Sequence, residues 1–198
     1  HYERDPTLQL MRMWPRLWRV QERLAKFLSA AAADFFLAPN VMYVMNQFIL
    51  GAPIERGKEI LVTNLEYGAV ERICRFRAER DGLKIRKVDL PVDPEELNLL
   101  GADGIVDKIV AGIGENTAMC VVSHICMGNG LVMPIAKLAE KTRARGVQLV
   151  VDGAHAPGAL ALDFSEFQNV DYYAGNLHKW VMGPKGTAFG WVHGSRQT

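Results

Sequence analysis

The chain has 198 residues, 23 Lys and Arg against 22 Asp and Glu, a net charge of +1, and 49% hydrophobic residues. That length suits one domain, and the even, scattered charge argues against a nucleic-acid footprint. No apolar run reaches the ~20 residues that span a bilayer, the start carries no signal-peptide pattern, and the three cysteines (Cys74, Cys120, Cys126) lack metal-type spacing. A reduced, cytoplasmic setting is the expectation, with no metal and no membrane partner.

The first element expected is an amphipathic helix through "RMWPRLWRVQERLAK", with Leu17, Val20, Leu24, Phe27 and Leu28 on its buried face and its arginines solvated. Short apolar runs follow, read as strands: "EILVT" (59–63), "KIRKVDL" (84–90), "AMCVVSH" (118–124), "VQLVVDG" (147–153), "VDYYAG" (170–175) and "TAFGWV" (187–192). Several are nearly unbroken, as suits strands buried on both faces of a parallel sheet. Helices are expected between them: "DPEELNLL", "GIVDKIVAGIG" and, most clearly, "MPIAKLAEKTRARG". In the last, Pro134 fits the first turn, Gly146 the C-terminal cap, and Ile135, Leu138 and Ala139 the buried stripe. This alternation predicts an α/β three-layer sandwich on a mostly parallel sheet, one domain over 1–198.

Such sheets bind ligands beyond the carboxyl ends of their strands. Three polar sets stand there directly after apolar runs: Ser123-His124, Asp152 to His155, and Asn176 to Lys179. A nucleophilic lysine must be neutral, and burial beside other donors lowers its pKa. Asp152 could cap a turn or hold a buried cation. A carboxylate pairing with a pyridinium nitrogen, and a lysine condensing with an aldehyde, would use Asp152 and Lys179 together; that is the pyridoxal phosphate arrangement. "GIGENT" lacks the third glycine of a dinucleotide fingerprint, and "GPKGT" is no P-loop.

"VVDGAHAPG", then "YYAGNLHKW" and "GPKG", resemble the class V aminotransferase family of fold-type I pyridoxal phosphate enzymes, nearest its isopenicillin N epimerase-like branch, with cysteine desulfurases as relatives. "HYERDP", "ILVTNLEYGAV" and "VVSHICMGNGLVMPIAKLAE" extend the resemblance along nearly the whole chain. It implies the family's large domain, an amino-acid or amino-acid-like substrate, and epimerase, lyase or aminotransferase chemistry. It implies Lys179 as the Schiff-base lysine, Asp152 as partner of the ring nitrogen, and His155 near the ring hydroxyl. Asn176 and His178 would hold the phosphate, and Tyr67 would stack on the ring. His124 matches a strand-end histidine of the family, serving either structure or chemistry.

Two departures from the family pattern stand out. The loop expected to cup the phosphate reads "APNVMYVMNQFI", with Val41, Met42 and Val44 where small hydroxyl or glycine residues are usual, leaving backbone amides as donors. Met127 stands where a polar residue is common. The alternative reading is therefore a non-catalytic scaffold or partner subunit with a degraded phosphate cup. The resemblance further implies a homodimer, a segment ahead of residue 1, and a small C-terminal domain beyond residue 198, on a longer chain or on a separate one.

Overall fold

A computed structural model describes residues 6–197, so the quoted start "HYERD" lies outside the described residues. Seven strands form one sheet: β1 (Phe35–Ala38), β2 (Glu59–Thr63), β3 (Lys84–Val88), β4 (Thr117–Ser123), β5 (Gln148–Gly153), β6 (Tyr172–Asn176) and β7 (Ala188–Val192). Their order is β1-β7-β6-β5-β4-β2-β3. Strands β3, β2, β4, β5 and β6 pair in parallel; β7 is antiparallel to both its neighbours. The six expected strands are all present within two residues of their expected ends, and β1 is an addition.

The central strands are buried on both faces, which is why their apolar runs are unbroken. In β4, Met119 and Val121 join the core under α2 (Val41–Gly51) and α3 (Gly68–Asp81). Cys120 and Val122 face the other core, under α1 (Pro6–Leu28), α4 (Pro94–Ala111) and α5 (Ile135–Arg143). The result is the expected three-layer sandwich.

Several local expectations are met. Ile135, Leu138 and Ala139 are buried on α5, and Gly146 takes φ +69° just beyond that helix. The two helices expected on either side of residue 101 are one span broken by Gly101 at φ +67°. The first helix differs. Among the described side chains of α1 only Leu24, Ala25 and Leu28 are buried, while Val20 and Phe27 are 44% and 54% exposed. Helix α1 packs in the core through its last turns, so the first half of the expected five-residue stripe is left uncovered among the described residues.

The phosphate-loop expectation is also corrected. "VMYVMNQFILG" is helix α2 itself, capped by the Asn40 side chain, which accepts from Tyr43 N–H. Val41, Val44, Met45, Phe48 and Ile49 are buried at helical spacing, so Val44 belongs to the core. Val41 and Met42 occupy the first turn.

Candidate active site

Strand periodicity sets the first three site residues. On the face covered by α2 and α3, Val121 is followed two positions on by Ser123, Val150 by Asp152, and Ala174 by Asn176. Each strand thus places an apolar residue in the core and, at its carboxyl end, a polar one on the same face. Ser123 lies directly beside Asp152 in the β4–β5 register. The sequence runs β2 to β3 on one side of the sheet and to β4 on the other, so the β2 and β4 ends flank a topological switch point, where ligands bind such sheets.

The chain then turns sharply after β6. Gly183 N–H donates to Leu177 C=O at 2.7 Å, and Met182 N–H to Lys179 C=O at 3.2 Å. Met182 adopts φ +59°, a conformation costing a non-glycine residue about 1–2 kcal/mol. The turn packs against the segment after β5, where Gly158 (φ +85°) has no room for a Cβ because the Trp180 carbonyl lies against it. This close approach brings His155 to the lysine: Lys179 Nζ lies 2.9 Å from His155 Nε2, and the Trp180 indole N–H donates to His155 Nδ1 at 3.4 Å.

A pocket of about 250 Å³ opens between these elements. Its wall includes Val41, Met42, Tyr67, Ser123, Asp152, His155, Asn176, His178 and Lys179, so the expected site residues other than Val44 and His124 border one cavity. Asn40, Ile125, Met127 and Ala154 complete the lining. Tyr67, 44% exposed, precedes α3. His124 lies elsewhere: buried, its Nδ1 lies 2.7 Å from the Tyr173 hydroxyl, and burial lowers its pKa to about 4. It supports the core. Cys126 is also buried, its thiol pushed up to about 12, which leaves it inert.

Asn176 braces the start of α2. Its Oδ1 accepts from Val41 N–H at 3.2 Å and its Nδ2 donates to Ala154 C=O at 3.4 Å, leaving one amide hydrogen for a ligand. Asn40 takes Tyr43 N–H on its side chain and Val44 N–H on its carbonyl. Met42 N–H is the first-turn donor with no partner among the described residues. His178 Nδ1 lies 2.8 Å from Thr187 C=O, to which it donates, so its Nε2 donates to an anion only when the ring is cationic.

The electrostatics suit a cationic guest. Asp152 is buried, and burial raises its carboxyl to about 6 although Ala154 N–H donates to it at 2.9 Å. Burial also lowers the Lys179 ammonium, against the opposing pull of Asp152, which enlarges the neutral fraction. One residue passed over in the sequence stands behind this wall: Glu66 accepts from the Thr63 hydroxyl at 2.6 Å and from the Ser123 hydroxyl at 2.7 Å. Ser123 lies 57 positions away in sequence, so no local pattern marks that acid.

Comparison with known proteins places this geometry. The family model "Aminotransferase class-V" matches residues 17–197. The chain is 37% identical over 193 residues to the isopenicillin N epimerase of Streptomyces clavuligerus, covering 96% of this chain and 46% of that protein. It is 29% identical over 142 residues to a probable chloroplastic L-cysteine desulfhydrase of Arabidopsis thaliana, covering 68% of this chain and 29% of that one. Among solved structures, a C-DES variant with glycine covalently linked to its PLP cofactor superposes with a TM-score of 0.87 at 25% identity, over 98% of this chain and 50% of that one. The chain spans less than half the length of these two curated relatives.

Proposed function

The chain belongs to the class V aminotransferase family, and from that premise we propose that it forms the cofactor-binding part of a pyridoxal phosphate enzyme acting at the α carbon of an amino acid or amino-acid-like substrate. The observation that carries this reading is the pairing, in one pocket, of the buried Asp152 carboxyl with the Lys179 amine. A buried acid without a cationic partner is costly, and a pyridinium nitrogen is such a partner. The donor set therefore fits the cofactor. When bound, pyridoxal phosphate supplies an electron sink for charge developing at the substrate α carbon.

The protein's own groups have separable tasks in this reading. Lys179 would hold the cofactor, and its Nζ would be placed to take up a proton, a task helped by its lowered pKa. His155 orients that amine from 2.9 Å. Asp152 holds a positive charge on the ring nitrogen, and Tyr67 covers the ring. Met42 N–H, the remaining Asn176 hydrogen and the His178 ring would hold the phosphate at the start of α2, where the helix dipole favours an anion.

Epimerase, lyase and aminotransferase reactions share these first steps, and the relatives include an epimerase and a desulfhydrase. We read the chain as part of a homodimer in a reducing compartment. A scaffold role fits worse, because decay of function gives no reason to keep Asp152, His155, His178 and Lys179 around one pocket. The test is direct. Borohydride added after pyridoxal phosphate should fix the cofactor on Lys179, located by peptide mass mapping; a label on another lysine, or none at saturation, overturns the reading.

A further inference from the structure

Behind the pocket wall, Glu66 projects from the loop after β2 into the gap between β2 and β4. Its two carboxyl oxygens take the hydroxyls of Thr63 and Ser123, residues only 1% and 4% exposed. Ser123 is shared: it lines the pocket and stands beside Asp152 in the β4–β5 register. A serine hydroxyl has one hydrogen and two lone pairs. Whatever Glu66 does with that hydrogen fixes what the pocket receives.

We propose that Glu66 is a positioning residue whose proton decides whether Ser123 offers the pocket an acceptor or a donor. With Glu66 ionised, both hydroxyl hydrogens point at the carboxylate, and Ser123 turns lone pairs to the ligand. With Glu66 protonated, its O–H donates to Ser123 Oγ and releases the serine hydrogen toward the pocket. The proposal rests on the reading that the pocket takes pyridoxal phosphate, since the bound ring is what would sense the change.

The surroundings make both states accessible near neutral pH. Burial raises the Glu66 carboxyl to about 7, opposed by the two hydroxyl donors and reinforced by the charge of Asp152. The ionisable groups that face it are Asp152 from β5, whose charge repels it, and the thiols of Cys74, Cys120 and Cys126, which burial holds neutral. No cation is among the largest influences on it. The loading of Asp152 therefore feeds back on Glu66: a cation bound by Asp152 reduces the repulsion and favours Glu66 ionisation, hence the acceptor state of Ser123.

Two measurements on the purified protein separate this idea from the cofactor reading. Infrared difference spectra across neutral pH should show a carboxylic acid C=O band that titrates near 7 and is lost in Glu66→Gln. Its midpoint should rise by about one pH unit in Ser123→Ala, which removes a donor to the ionised form, and fall in Asp152→Asn. A band indifferent to Ser123→Ala overturns the proposal, without any cofactor present. In the second measurement, the pH profile of pyridoxal phosphate affinity should lose its near-neutral limb in Glu66→Gln while circular dichroism stays unchanged. An unaltered profile also overturns the proposal. Failure of the wild type to bind pyridoxal phosphate defeats the functional reading, and the infrared titration then decides Glu66 alone. Should Glu66→Gln not fold, Ser123→Ala carries both arms: the band moves upward, while the affinity profile loses its near-neutral limb because no hydroxyl is left to turn.

Discussion

Lys179 Nζ lies 2.9 Å from His155 Nε2, and the other nitrogen of that imidazole receives the Trp180 indole N–H. An Nδ1 that accepts leaves the hydrogen of neutral imidazole on Nε2, facing the lysine. The lysine can accept it only as a free amine. The contact therefore favours the nucleophilic form, in the same direction as burial, which lowers both groups' affinity for a proton.

His155→Ala should undo this. The variant removes a donor to the neutral amine and admits water, both of which return Lys179 toward an ordinary ammonium. The pH profile for borohydride-trappable attachment of pyridoxal phosphate should shift upward by about half to one unit. An unchanged profile would show that the contact does not tune the amine.

Asp152 gives a signed stability prediction. Its folded pKa, about 6 against an ordinary 3.8, means the cofactor-free native state binds more protons than the unfolded chain between those values. Stability from this group is thus full below the unfolded pKa and declines as pH rises toward 6. Asp152→Asn should make the cofactor-free protein more stable at neutral pH, by on the order of 2 kcal/mol, and flatten this part of the pH dependence. The same variant should bind the cofactor yet slow exchange of the substrate α hydrogen strongly, because a neutral amide does not keep the ring nitrogen charged. Thermal melts across pH check the first part and deuterium exchange the second.

What the sequence revealed follows from the same physics. Strands buried on both faces leave continuous apolar runs, so β2, β4 and β5 were legible almost to the residue. The polar ends of β5 and β6 were legible too, because Asp152 and Asn176 break their runs abruptly. Helix α2 was hidden behind the expectation of a loop, although Asn40 as cap and buried residues at 41, 44, 45, 48 and 49 carry the helical pattern. Glu66 was illegible for a different reason: its role arises from contact with Ser123 across the switch in strand order. The outer half of α1 misled because amphipathic spacing records a face and not what covers it.

Assembly offers a third prediction. Leu10, Met11, Trp14 and Trp18 on α1 are 67%, 72%, 67% and 45% exposed, an apolar surface that water disfavours. If a partner copy covers it, as the proposed homodimer supposes, the double variant Trp14→Glu, Trp18→Glu should weaken self-association at least tenfold in sedimentation, since each buried tryptophan contributes more than ~1.4 kcal/mol. Because α1 enters the core only at Leu24, Ala25 and Leu28, the protomer fold should survive. A wild type that sediments as a cofactor-loaded monomer would contradict the dimer.

The first turn of α2 sets the last prediction. Three of its donors have protein partners: Val41 N–H on Asn176, Tyr43 N–H on the Asn40 side chain and Val44 N–H on the Asn40 carbonyl. A phosphate there would rely on Met42 N–H, the helix dipole and His178, with no hydroxyl to help. Structure also chooses between the two side chains. Val41 is 2% exposed and packed in the core, so Val41→Thr would bury a hydroxyl away from solvent, whereas Met42 is half-buried on the pocket wall. Met42→Thr adds one donor to an ionised acceptor, worth ~1.5–3 kcal/mol, and should tighten pyridoxal phosphate about tenfold to a hundredfold. Pyridoxal without the phosphate is the control, and its affinity should not change. Equal gains for both ligands would place the new hydroxyl on the ring, and no gain for either would remove the start of α2 from the phosphate site.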